Sequence, residues 1–149
     1  MKYLAYGANM DAEIIFSRCA DAKFLGTGIL VGYRLLFKGE EPGAYATIEQ
    51  WEGYRVPYVL WEISANDERS LDDWEGYPSF YGKQVVSVEF GNEKFLAMFY
   101  QKDEKQPVGQ PMTHYIEVLE SAYKKFGFDR SILDDAIKFS NDFFQRRFV

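Results

Sequence analysis

At 149 residues, 47% hydrophobic and 27% charged, the chain is long enough to bury a core and too apolar to be disordered. Lys and Arg number 17 against 23 Asp and Glu, and the resulting net charge of -6 argues against nucleic acid, whose phosphates require a basic footprint. A single Cys19 excludes an internal disulfide and suits a reducing compartment, and with His114 the only histidine, no zinc site is expected.

The start, "MKYLAYGANM", has too short an apolar run for a signal peptide, and no stretch approaches the roughly 18 apolar residues of a membrane span. The expectation is a cytoplasmic protein with no membrane partner. Lys2 to Tyr6 reads as a first strand that stops at Gly7. Ala8 and Asn9 are small and turn-prone, and Asp11 to Arg18 reads as a short helix. A strand, a glycine turn and a helix start form a place where backbone N–H groups can point at a ligand.

The stretch "KFLGTGILVGYRLLFKG" is rich in β-branched and aromatic residues and interrupted by Gly26, Gly28 and Gly32, a pattern that suits bent strands or bulges. "YATIEQ" and "VPYVLWEIS" read as two further strands. Ser64, with Asp67 three residues on, forms a variant capping box, and its helix ends at Gly76, a left-handed C-cap. Strands near Gly82 to Phe90 and Lys94 to Gln101 are joined by the hairpin signal "GNE". Pro111 opens a helix whose face carries Tyr115, Val118, Leu119, Ala122 and Phe126, and a last helix starts at about Ser131. The polar loop "KDEKQPVGQP" is the expected place for mobility. The fold class is α+β, a barrel-like sheet with helices packed outside it, in one domain.

Standard catalytic constellations are missing: there is no GxSxG, no P-loop and no HExxH. Cys19 reads as a small core hydrophobe and His114 as a surface residue of a first helical turn. Glu75 stands out among the carboxylates, at a helix C-terminus between Trp74 and Gly76 and just before "YPSFY". The negative end of the helix dipole and burial against rings both disfavour its ionised form, and a carboxylate poised nearer neutrality can accept and return a proton. Glu62, a charge inside the apolar strand "VLWEIS", is the rival, and spacing alone does not separate the two.

"YLAYGANM", followed about 65 residues later by "LDDWEGYPSFYGK", resembles the gamma-glutamylcyclotransferase-like family. Members of that family carry Tyr-Gly-Ser-Asn at the first strand end and Asp-x-x-Glu-Gly downstream. The likeness runs through "FLGTGILVGYRLLF", "YATIE", "LWEIS", the strand ending at Tyr100 and "QPMTHY", to about residue 127. It implies a small mixed β-barrel of about five to seven strands flanked by helices, spanning residues 1–127 of a single 1–149 domain, with 128–149 as a C-terminal helix.

It further implies one pocket for a small-molecule gamma-glutamyl substrate, and the reaction of a gamma-glutamyl cyclotransferase: closure of the glutamyl group to 5-oxoproline with release of an amine. Tyr6, Gly7, Ala8 and Asn9 match the binding loop and Glu75 the acid/base, while Tyr81, Tyr100 and Tyr115 match aromatic positions lining the cavity. No metal or organic cofactor is implied. Ala8 stands where the family usually has serine, so any role of that hydroxyl is lost while the backbone N–H survives. The alternative is a non-catalytic small-molecule binding module on the same fold.

Overall fold

The computed structural model describes residues 1–40 and 43–147; the last two residues of the expected C-terminal helix lie outside them. A strand β1 (Lys2–Ala5) runs into a short 3₁₀ turn (Ala8–Met10) and helix α1 (Ala12–Arg18). Two long strands follow, β2 (Lys23–Lys38) and β3 (Tyr45–Glu62), then helix α2 (Ala65–Glu75). The hairpin β4 (Gly82–Phe90) and β5 (Glu93–Gln101) precedes helices α3 (Thr113–Phe126) and α4 (Arg130–Arg147).

The five strands form one mixed sheet in the order β2-β3-β1-β5-β4. All neighbours are antiparallel except β1 and β5, paired in parallel through Lys2 with Ala97 and Tyr3 with Met98. The strand count matches the expected small sheet, but β2 and β4 are edges with no ladder between them, so the sheet curls without closing into a barrel. Its edges nonetheless approach: a Cβ built on Gly26 of β2 would lie 3.5 Å from the Phe90 ring of β4. The bend comes from the β2–β3 ribbon, whose register slips between Phe24 and Gly26 and between Val31 and Tyr33. "YATIEQ" and "VPYVLWEIS" are therefore not two strands but two halves of β3, which continues through the second slip.

Burying Leu4, Phe37, Ile48, Trp61 and Phe99, all at most 2% exposed, makes the sheet the wall of the core, against which α3 packs Leu119 and Tyr123 and α4 packs Leu133 and Ala136. Capping sets where α2 begins and ends. Ser64 Oγ accepts the Asp67 N–H while Asp67 accepts the Ser64 N–H, the reciprocal pair of a capping box. Gly76 adopts φ 64°, which lets the Tyr77 N–H return to the Asp72 carbonyl at 2.9 Å. Glu75 is thus the last helical residue. The Gly91-Asn92 turn of the β4–β5 hairpin has φ 59° and 69°, the left-handed pair a two-residue hairpin favours.

The loop expected to be mobile is instead pinned. Gly39 N–H donates to the Pro107 carbonyl at 2.8 Å, Gly109 N–H to the Phe37 carbonyl at 3.1 Å, and Lys102 at the loop's start is only 1% exposed. Its polar composition reflects the side chains facing water, not the backbone, which is held by the β2 end. The helix expected to open at Pro111 starts two residues later, at Thr113. Among the described residues no helix is long and apolar enough to cross a membrane.

Candidate functional site

The β1 terminus, the 3₁₀ turn, the C-terminus of α2 and the first turns of α3 converge on a cavity of about 600 Å³. Tyr6, Gly7, Ala8, Asn9, Glu75, Tyr81, Tyr100 and Tyr115 all line it. Glu62 does not: it sits at the sheet end with Lys2 Nζ at 3.6 Å, its side chain 40% exposed.

Asn9 organises the polar centre. Arg18 Nη1 donates to Asn9 Oδ1 at 2.8 Å, and because a guanidinium has only donors, the amide oxygen must face it. Asn9 Nδ2 is thereby turned to Tyr3 Oη at 2.9 Å and Glu75 Oε1 at 3.3 Å. The Trp61 indole N–H anchors the Asn9 carbonyl at 3.0 Å. The asparagine side chain is thus taken up by Tyr3, Arg18 and Glu75. Gly7 and Ala8 carbonyls close the 3₁₀ turn onto the Met10 and Asp11 N–H groups, each at 3.0 Å. The N–H groups that lead into such a turn have no partner within it.

Close approach, not backbone freedom, explains the glycine of the loop. Gly7 has φ -119°, outside the left-handed region. A Cβ there would instead meet Tyr115 Oη at 3.2 Å and Ala46 Cβ at 3.5 Å. Tyr115 Oη accepts the Ala46 N–H at 3.0 Å, and the Tyr81 hydroxyl donates to the Ala46 carbonyl at 2.8 Å, so two phenols grip one residue of β3. The Tyr6 hydroxyl donates to the Tyr100 carbonyl, and the Tyr100 hydroxyl to Asp72 Oδ1 at 2.7 Å, itself paired with Lys83. Burial pushes Tyr3, Tyr6, Tyr81, Tyr100 and Tyr115 well above the ordinary phenol value, so all five are neutral hydroxyls at physiological pH.

Desolvation by these rings is the largest influence on Glu75 and raises its pKa; Arg18, the Asn9 hydrogen bond and Lys102 pull it back down. Lys102 is a counterpart. It makes no side-chain hydrogen bond or ion pair among the described residues, its Nζ lies 3.6 Å from the Phe80 ring centroid and 4.9 Å from that of Tyr81, and desolvation lowers its pKa. Glu75 and Lys102 are thus two desolvated charges of opposite sign that act on each other. No group of three or more His, Cys, Asp or Glu among the described residues is arranged to hold a metal ion.

A family model for gamma-glutamyl cyclotransferase, AIG2-like proteins matches residues 3–120, which include this entire lining. The chain belongs to the gamma-glutamyl cyclotransferase, AIG2-like family. It is 34% identical over 91 residues to the gamma-glutamylcyclotransferase of Homo sapiens, a match spanning 56% of this chain and 47% of that protein, about half its length. The solved structure of a gamma-glutamyl cyclotransferase has a TM-score of 0.77 at 22% identity, covering 95% of this chain and 85% of the other. An uncharacterized protein from Homo sapiens gives 0.76 at 23% identity, with the same coverage. These two likenesses show the shared fold.

The family fold brings to the cavity residues that sequence reasoning did not single out. Tyr3 and Arg18 serve Asn9, buried Ala46 joins the lining, and Trp74, Phe80 and Met112 line it while remaining exposed. Trp74 and Phe80 flank Glu75 in the chain and were legible as its neighbours; nothing local marked Tyr3, whose role depends on the turn folding back over its own strand. His114 is exposed, as expected, yet lies on the lining. Cys19 is fully buried with its thiol pushed up to about 12, the inert core position anticipated for it.

Proposed function

We propose that this protein is a gamma-glutamyl cyclotransferase that closes a gamma-glutamyl amine or peptide to 5-oxoproline and releases the amine, with Glu75 as general acid/base. The observation that carries the reading is the placement of a desolvated glutamate, oriented by Asn9, against a loop of small residues in one aromatic cavity. In the reaction the substrate α-nitrogen attacks its own γ-carbonyl carbon, and the bond from that carbon to the departing nitrogen breaks. The α-ammonium gives up two protons in becoming the lactam N–H, and the departing nitrogen gains two in leaving as an ammonium. The reaction is proton-neutral overall, so one carboxylate that accepts and returns protons suffices.

Intramolecular attack leaves the protein little to supply beyond folding the substrate, since well-oriented reactants gain roughly 7–11 kcal/mol from proximity. The walls of Tyr6, Tyr81, Tyr100 and Tyr115 hold the glutamyl chain in a bent form, and the Gly7 and Ala8 N–H groups face its oxygen atoms. Ala8 does not impair that role, because a main-chain donor needs no side chain. Raising the Glu75 pKa brings it nearer the working pH, where acid/base exchange is most efficient.

The test uses the free α-amine. An N-acetylated gamma-glutamyl amide lacks the attacking lone pair and is expected to resist turnover, whereas the parent amide yields 5-oxoproline. A non-catalytic binding module, the other reading of this cavity, leaves both compounds intact. Release of free glutamate from the parent identifies a hydrolase and overturns the proposal.

A further inference from the structure

We infer that the mouth of the cavity selects a leaving amine that carries an extended apolar chain without a distal ammonium, an inference that rests on the cyclotransferase reading. Glu75 must reach the departing nitrogen, so whatever that nitrogen carries begins at Glu75 and leads outward. The side chains met on the way are Trp74, Phe80 and Met112, which line the cavity and yet are 63%, 50% and 54% exposed. Apolar side chains so exposed along the rim of a concave site are surface waiting to be covered, and an apolar chain from the substrate is the occupant continuous with the site below.

Charge points the same way. Arg18 lies 4.5 Å from the Trp74 ring and also lines the cavity, and among the described lining residues Glu75 is the sole carboxylate. Glu75 is taken up with the reacting nitrogens and with Asn9. A leaving group with a distal ammonium therefore finds the Arg18 guanidinium, the exposed His114 and no free acid at the mouth. The rim is built around α2: Trp74 precedes Glu75 in its last turn, and Phe80 is folded back by its N–H to the Gly76 carbonyl at 2.7 Å. Specificity and catalysis thus share one helix end.

Three substrates with leaving nitrogens of matched basicity test this: L-gamma-glutamyl methylamide, hexylamide and 6-aminohexylamide. The hexylamide is expected to exceed the methylamide in kcat/KM by at least about tenfold, carried by KM, because several methylenes become buried. The 6-aminohexylamide, of nearly the same length, is expected to fall well below the hexylamide. Trp74→Ala and Phe80→Ala should erase most of the hexyl advantage, read within each variant as the ratio of hexylamide to methylamide kcat/KM, which a general loss of catalysis does not move. Equal kcat/KM for methyl and hexyl, parity of the aminohexyl compound with hexyl, or a uniform loss across all three substrates in Trp74→Ala overturns the inference. Calorimetry of the same amides on Glu75→Gln reads the mouth without turnover. If no amide yields 5-oxoproline, the cyclotransferase reading fails, while the binding order still supports or overturns the apolar mouth.

Discussion

Substituting Gly7 measures how tightly the loop is held against the cavity lining. In Gly7→Ala the new methyl lies 3.2 Å from Tyr115 Oη and 3.5 Å from Ala46 Cβ. The phenol has to retreat by a few tenths of an ångström, and its hydrogen bond from the Ala46 N–H, now 3.0 Å, stretches toward the weak end of the range. Losing much of that bond costs about 0.5–1.5 kcal/mol, and because Tyr115 and Ala46 both line the site, kcat/KM falls by a few-fold to about tenfold. Gly7→Val adds two more carbons on a stiff χ1, so the clash cannot be relieved by one rotation; overpacking of about 1–3 kcal/mol is expected, with a loss in kcat/KM of about 10- to 100-fold. Ala8→Ser, by contrast, keeps the main-chain donor and is expected to change kcat/KM less than about tenfold. The assay pairs kcat/KM for 5-oxoproline formation with urea unfolding of each variant. A folded Gly7→Val protein with wild-type kcat/KM refutes the assignment of this loop to the ligand.

Lys102→Met removes a cation that lowers the Glu75 pKa, so the rising limb of the rate–pH profile should move to higher pH; an unmoved limb contradicts the coupling. Glu75→Gln should be the more stable protein at neutral pH. The raised folded pKa of Glu75 means that wild type has its full contribution below the ordinary value of 4.5 and loses it as pH rises through the folded pKa, at up to about 1.4 kcal/mol per pH unit. Thermal unfolding of both proteins from pH 4 to 8 checks this, with the two Tm values diverging as pH rises. Ser64→Ala breaks the capping box of α2 and should cost about 1 kcal/mol in urea unfolding while kcat stays within twofold, since the Schellman end that positions Glu75 is untouched.

Local signals in the sequence were reliable where local physics decides. The Ser64 and Asp67 pair, the Gly76 cap and the "GNE" turn each set an element boundary through a few adjacent residues, and each stands in the structure. The placement of Glu75 at a helix end against aromatic residues was legible for the same reason. Long-range pairing was not. The parallel contact of β1 with β5, the open edges of the sheet and the union of two apolar segments into β3 through a bulge depend on which strands meet. Loop 102–111 looked free because its composition is polar, yet its main-chain groups find partners on the β2 end. The Asn9 to Glu75 contact joins residues 66 apart, and only a folded chain shows that the asparagine amide serves the glutamate.

The most direct measurement is the product of a single turnover run in heavy-oxygen water with wild type and with Glu75→Gln. Attack by the substrate's own nitrogen yields unlabelled 5-oxoproline with the native protein. Glu75→Gln, which fills the same space and still accepts the Asn9 hydrogen bond, should lower that rate by about 10² to 10⁴. Labelled glutamate as the first product, or unchanged 5-oxoproline formation by a folded Glu75→Gln protein, contradicts it.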